Sequence, residues 1–141
     1  GIAWGMVGAS IDCYQTALDY SLERKQFSKP IAGYQLTQAK FADMITQITM
    51  AQLTVYQLGR LKDSGKMRFD QVSLAKRNHC QMARDIARTS RDILGGNGIM
   101  EDYSPMRHMI NIETVFTYEG THEMHSLILG QSVTGLAAYD S

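Results

Sequence analysis

Three short stretches, and the histidines beside one of them, carry residue types that could do chemistry. Tyr118-Glu119-Gly120-Thr121 sets a carboxylate beside a glycine, just ahead of an apolar-patterned segment. A helix N-terminus close by favours an ionised carboxylate ready to accept a proton, and Gly120 lets a ligand come near the backbone. The plain alternative is a helix-start turn with Thr121 as N-cap. Glu23-Arg24-Lys25-Gln26-Phe27 places cations at a helix C-terminus. They either meet the helix dipole there or clamp a phosphate through the planar donors of arginine. Gly95-Gly96-Asn97-Gly98 leaves backbone amides uncovered by side chains, as a turn or as an approach to a pyrophosphate. It follows a helical pattern and lacks GxGxxG spacing, so it is not a dinucleotide fingerprint.

His122 and His125 raise the question of a metal. Glu119-x-x-His122 has the form of the carboxylate–histidine element of di-iron bundles, but no second copy exists in the chain. HEMH is also not HExxH. No metal site is assigned. His79 lies on an apolar stripe and reads as a core histidine with its hydrogen bonds satisfied, and the 9 methionines read as core filler. Asp12, Asp19, Asp43 and Asp63 read as solvated.

The elements that must position these residues are helical. Trp4, Val7, Ile11, Tyr14, Leu18 and Leu22 recur three and four apart, which predicts a helix to about Arg24. Pro30 and Gly33 mark a loop. Phe41, Met44, Ile48, Ala51, Val55 and Leu58 predict a helix over 35–63, stopped at Ser64-Gly65. Val72, Ala75, His79, Met82, Ile86 and Ile93 predict a third, ended by the glycine cluster. Ser104-Pro105 reads as N-cap and first helical residue of a short fourth helix bearing Met106, Met109, Ile110 and Val115. A fifth carries Met124, Leu127, Ile128 and Val133. With no period-two segment, the expected fold is an all-α antiparallel four-helix-bundle type domain over 1–141, with three long helices and two shorter ones.

Composition narrows the classes. Fourteen basic residues balance 14 acidic ones, which argues against nucleic acid. No apolar run approaches the roughly 20 residues of a membrane span, and no secretory signal opens the chain. Cys13 and Cys80 are isolated and read as buried reduced thiols, pointing to a reducing compartment. A start at GIAWGMVG, inside an amphipathic pattern, suggests part of something longer.

Taken in order, ERKQF, QLTQAKFADM, DILGGNGI and YEGTHEMHSLILG resemble the C-terminal region of acyl-CoA dehydrogenases over essentially all 141 residues. HEMHSLILG and the VTGLAAY tail are most similar to the glutaryl-CoA branch. The resemblance implies a subunit with an N-terminal helical domain and a middle β domain besides this bundle. It implies FAD bound partly across a subunit boundary in a tetramer, a dimer of dimers, with a flavoprotein as electron acceptor. Bacterial cytoplasm or mitochondrial matrix is the implied compartment.

By the same resemblance Glu119 is the base that removes the acyl-CoA α-proton, Gly120 touches substrate, and the Glu119 amide donates to the thioester carbonyl. Thr121 contacts the flavin. Arg24, Gln26 and Phe27 hold the diphosphate and adenosine side of FAD, and Gln35 adds a contact. Asp92, Ile93, Leu94, Gly95 and Gly96 match the stretch that reaches FAD from a neighbouring subunit, and Tyr139 is a terminal aromatic over the cofactor. Many straight-chain members carry Gln in place of Asp92 and Glu123; the glutaryl branch tends to be acidic at both. Its carboxylate-recognising arginine belongs to a more N-terminal region. The alternatives are a non-decarboxylating short-chain dehydrogenase or, for this domain alone, a helical assembly module.

Overall fold

A computed structural model describes residues 1–139. Five helices follow one another: α1 (Ile2–Glu23), α2 (Gln35–Asp63), α3 (Phe69–Ile93), α4 (Ser104–Thr117) and α5 (His122–Thr134). The expected all-α architecture is found. The loop after α1 folds into a two-residue hairpin, β1 (Lys25–Gln26) against β2 (Lys29–Pro30), antiparallel with Gln26 opposite Lys29.

α3 is the central element: α1, α2, α4 and α5 all pack on it. It therefore buries more than the single stripe read from sequence, adding Ser73, Lys76, Cys80, Ala83, Ala87 and Ser90 to Ala75, His79, Met82, Ile86 and Ile93. Val72, expected in the core, is exposed. The α2 stripe from Phe41 to Val55 is buried as its periodicity predicts. His79 is fully buried, its Nδ1 2.7 Å from the Ala75 carbonyl and its Nε2 2.9 Å from that of Ala51, tying α3 to α2.

α1 departs from expectation. Its buried face is Met6, Val7, Ser10, Cys13, Ala17 and Ser21, whereas Trp4, Ile11 and Leu22 lie outside. α1 packs on α3, both helices bury small side chains (Ala17 on one, Ala83 and Ala87 on the other), and close helix approach takes precedence over side-chain size. The buried serines are satisfied within the helix, Ser10 donating to the Met6 carbonyl and Ser21 to that of Leu18. Cys13 and Cys80 are buried free thiols, and burial pushes Cys13 up to about 12.

α2 ends in a Schellman motif: Gly65 is left-handed (φ +71°), its N–H meets the Lys62 carbonyl, and the Lys66 N–H meets that of Leu61. Ser104 is not the N-cap of α4. Tyr103 occupies that position and Ser104 is already helical. The Ser104 hydroxyl turns instead to α1, 3.2 Å from Thr16 Oγ1. Asp12 is not simply solvated either: hydrogen bonds from Ser104 and then His108 hold its carboxyl below the ordinary range. Among the described residues no helix is long and apolar enough to cross a membrane.

Candidate functional site

The residues singled out by sequence fall into two clusters joined by α3. The first is the Glu119 turn between α4 and α5. Thr121 caps α5, its Oγ1 accepting from the Met124 N–H at 3.2 Å, so the helix-start reading of this residue is correct. Glu119 and Gly120 are both left-handed, at φ +57° and +90°. For a glutamate that conformation is strained, at about 1–3 kcal/mol, and persists only where surrounding contacts impose it.

Those contacts come from α3 and α5. Lys76, only 6% exposed, donates through Nζ to the carbonyl oxygens of both Tyr118 and Gly120. His125 Nε2 lies 3.2 Å from the Glu119 carbonyl. Burial, then the Lys76 charge, holds the His125 pKa below the usual imidazole value. The ring is accordingly neutral near pH 7, and its Nε2–H tautomer is the one that donates to this acceptor. Three successive carbonyls thus point inward onto side-chain donors. The backbone N–H groups of Glu119 and Gly120 have no acceptor among the described residues.

A Cβ at Gly120 would sit 3.0 Å from the His125 ring, so glycine is required by space as well as by φ. His122 diverges from His125 and stacks on Phe116, with centroids 4.6 Å apart. Arg84 lies over the other partner of that stack, 4.8 Å from the Phe116 centroid.

The second cluster lies at the far end of α3. Sixteen positions separate Lys76 from Asp92, about 24 Å along a helix axis. Gln26, Phe27, Gln35, Asp92, Ile93 and Gly95 line one open cavity of about 870 Å³, together with Lys29, Tyr34 and Lys40. Two stretches far apart in sequence therefore form a single wall. Phe27 and Ser28, at φ +50° and +70°, make the tight two-residue turn of the hairpin, and Phe27 is left 93% exposed. The hairpin is braced by the Tyr34 hydroxyl donating to the Gln26 carbonyl at 2.7 Å. A hydrogen bond from Lys40 at 2.5 Å holds the Asp92 carboxyl below the ordinary range.

Arg24 ends α1 as an exposed C-cap and does not line the cavity. The Leu94 side chain is 1% exposed and belongs to the core, which leaves only its backbone for a ligand. Nothing lies within 4 Å of a Cβ built on Gly95 or Gly96, so the space beside these two residues is open. Gly98 is different: a Cβ there would meet the Arg91 carbonyl oxygen at 2.1 Å, so this glycine serves the turn itself. Tyr139 is exposed beyond α5.

Lys76 and His125 were not read as site residues from sequence. A lysine within the apolar face of α3, three before His79, was a visible anomaly, whereas His125 had drawn attention only as a metal ligand. No group of three metal-ligating side chains occurs among the described residues.

The bundle thus carries a carboxylate on a strained, donor-locked turn near one end of α3 and an open cavity at the other. The chain matches the family described as acyl-CoA dehydrogenase, C-terminal domain, over residues 1–134, and belongs to that family. It is 33% identical over 130 residues to the short-chain-specific acyl-CoA dehydrogenase of Megasphaera elsdenii, covering 92% of this chain and 34% of that protein. It is 31% identical to the 3-(aryl)acrylate reductase of Clostridium sporogenes, over 94% of this chain and 35% of the relative. Among solved structures, a glutaryl-CoA dehydrogenase from Mycobacterium smegmatis superposes with TM-score 0.97 at 50% identity, over 99% of this chain and 36% of that one. A glutaryl-CoA dehydrogenase from the same organism in complex with FADH2 gives TM-score 0.97 at 46% identity over the same shares. The chain thus spans about a third of the length of the proteins it matches.

Proposed function

We propose that this domain is the C-terminal part of an FAD-dependent enzyme that oxidises glutaryl-CoA and releases CO2 to give crotonyl-CoA. The carrying observation is the Glu119 turn, where one residue presents both a carboxylate and an unpaired amide N–H. The carboxylate takes the α-proton of the thioester. Negative charge then grows on the thioester oxygen, and the Glu119 N–H, already aimed outward, stabilises it. Gly120 keeps the approach to that amide open. FAD, when bound, supplies the acceptor for the hydride leaving the β-carbon.

The second cluster fits the adenosine and diphosphate portion of that cofactor. Phe27 offers an exposed aromatic face and Lys29 positive charge within the cavity, while Gly95, Gly96 and, outside the cavity, Arg24 are assigned to the same portion by the family resemblance. Gln26, Gln35, Asp92 and the backbone of Ile93 and Leu94 complete the wall, with Thr121 and Tyr139 on the flavin side. The two clusters lie at opposite ends of α3, which favours a flavin shared between subunits, in a tetramer.

Exposed Trp4, Leu22, Met50, Leu53, Tyr56 and Leu136 supply apolar surface for other domains and other copies. The glutaryl substrate is favoured by the higher identity to that branch and by acidic Asp92 and Glu123. An electron-accepting flavoprotein is the partner we expect, in bacterial cytoplasm or mitochondrial matrix.

In the full-length protein, Glu119→Gln is expected to retain FAD and acyl-CoA while flavin reduction slows by about 10²- to 10⁴-fold. Near-normal reduction in stopped flow would rule the base assignment out. Incubation with glutaryl-CoA should release CO2; its absence, with butyryl-CoA still oxidised, identifies a non-decarboxylating short-chain enzyme instead.

A further inference from the structure

The grip on the Glu119 turn is built from two groups that the proposed chemistry does not itself use. We propose that Lys76 and His125 are positioning residues that hold peptides 118–121 with carbonyls inward and amides outward, and that the Lys76 charge polarises the peptide whose N–H meets the substrate. The inference rests on the reading of Glu119 as the base.

The Lys76 ammonium bonds the carbonyl oxygen of Tyr118. That oxygen and the Glu119 N–H belong to one peptide unit, so a cation on the oxygen side makes the N–H a stronger donor. Its second acceptor is the Gly120 oxygen, and His125 takes the oxygen between them. A left-handed glutamate can relieve its strain by flipping an adjoining peptide, which would turn a carbonyl toward the substrate and the amide away from it. Such a flip would strip acceptors from a buried ammonium, and an uncompensated buried charge is more unfavourable than the strain relieved. The lock is thus one-sided: the turn stays strained because the alternative strands Lys76.

A residue that only supported the fold would change the yield of holoenzyme. A residue that aims the base and polarises the donor changes the rate per bound flavin. In the full-length enzyme, Lys76→Met should lower the flavin reduction rate per bound FAD by about 10²-fold, the cost of losing one aimed oxyanion donor. Substrate dissociation should change by less than about threefold, because the lost interaction belongs to the transition state. Acetoacetyl-CoA, whose α-protons are acidic, serves as the non-oxidisable probe. The share of it bound as enolate, read by ultraviolet absorbance at pH 7, should fall in parallel.

His125→Phe, which keeps the ring and removes the donor, should act in the same direction by about tenfold; it stands in if Lys76→Met yields no holoenzyme. Wild-type reduction per flavin and a wild-type enolate share in these variants would overturn the positioning role. If Glu119→Gln reduces flavin normally, the base reading itself fails. If that variant is inactive while Lys76→Met and His125→Phe are not, only this inference fails.

Discussion

The two ends of α3 solve different problems. At the Glu119 end, three consecutive carbonyls are tied down by a buried lysine and a buried histidine. At the other end, an exposed phenylalanine on a strained hairpin, a surface ion pair and the backbone at Gly95 form an open wall. A base must be placed to within fractions of an ångström of one proton, and loss of geometry there shows directly in rate. On the proposed reading, an extended cofactor would be held by many modest contacts, which an open surface can supply.

Substitutions in full-length protein should separate the two ends. After Glu119→Gln itself, a large effect is expected from Gly120→Ala, which combines an unfavourable φ with a Cβ 3.0 Å from His125. Flavin reduction should fall by about 10²-fold while FAD content is retained, as stopped flow and absorbance would record. Loss of FAD instead would mean that the two ends are not independent.

Gly98→Ala should be mainly a stability change, because its Cβ would meet the Arg91 carbonyl oxygen at 2.1 Å. Moving that turn costs about 1–3 kcal/mol, visible as a lower melting temperature, with the per-flavin rate near wild type in whatever folds.

Phe27→Ala should weaken FAD retention by up to about tenfold, the order of one aromatic contact, without slowing reduction of the flavin that stays bound. An unchanged FAD dissociation rate would remove Phe27 from the cofactor wall.

Smallest is Asp92→Asn. The Lys40–Asp92 pair is solvent-screened and contributes at most about 1 kcal/mol. The Asp92 carboxyl is depressed in the fold. Its contribution is therefore present above the unfolded value of about 3.9 and is lost as pH falls through the lower folded value. Wild type and variant melts should accordingly converge on acidification below pH 4; a difference that persists there would assign the effect to something other than charge.

Periodicity located α2 almost to the residue, because its buried stripe is made of large apolar side chains at three and four spacing. It placed the inner face of α1 only in part: Val7 is buried and Tyr14 and Leu18 pack against the core, but the deepest side chains there are small and Trp4, Ile11 and Leu22 point outward. The apolar stripe of α5 was equally misleading: Met124 and Val133 are exposed, and the buried side chain is His125. For the site, Glu119, Gly120 and Thr121 were legible as a motif within four adjacent residues. Joining Gln26 and Phe27 to Asp92 and Gly95 was not, since nothing in the chain between them records that α1 and α3 end side by side.

Local chemistry could be read along the chain by itself: five helices, their stops at Gly65 and Gly95, the Thr121 cap, and a carboxylate next to a glycine. Those properties depend on neighbours within one or two helical turns, where spacing and residue type are sufficient. Only the packed structure decided that Lys76, 43 positions before Glu119, reaches under its turn, and that the hairpin and the glycine loop share one cavity. Such contacts depend on how helices cross, and the crossing is set by the summed shape of many small buried side chains.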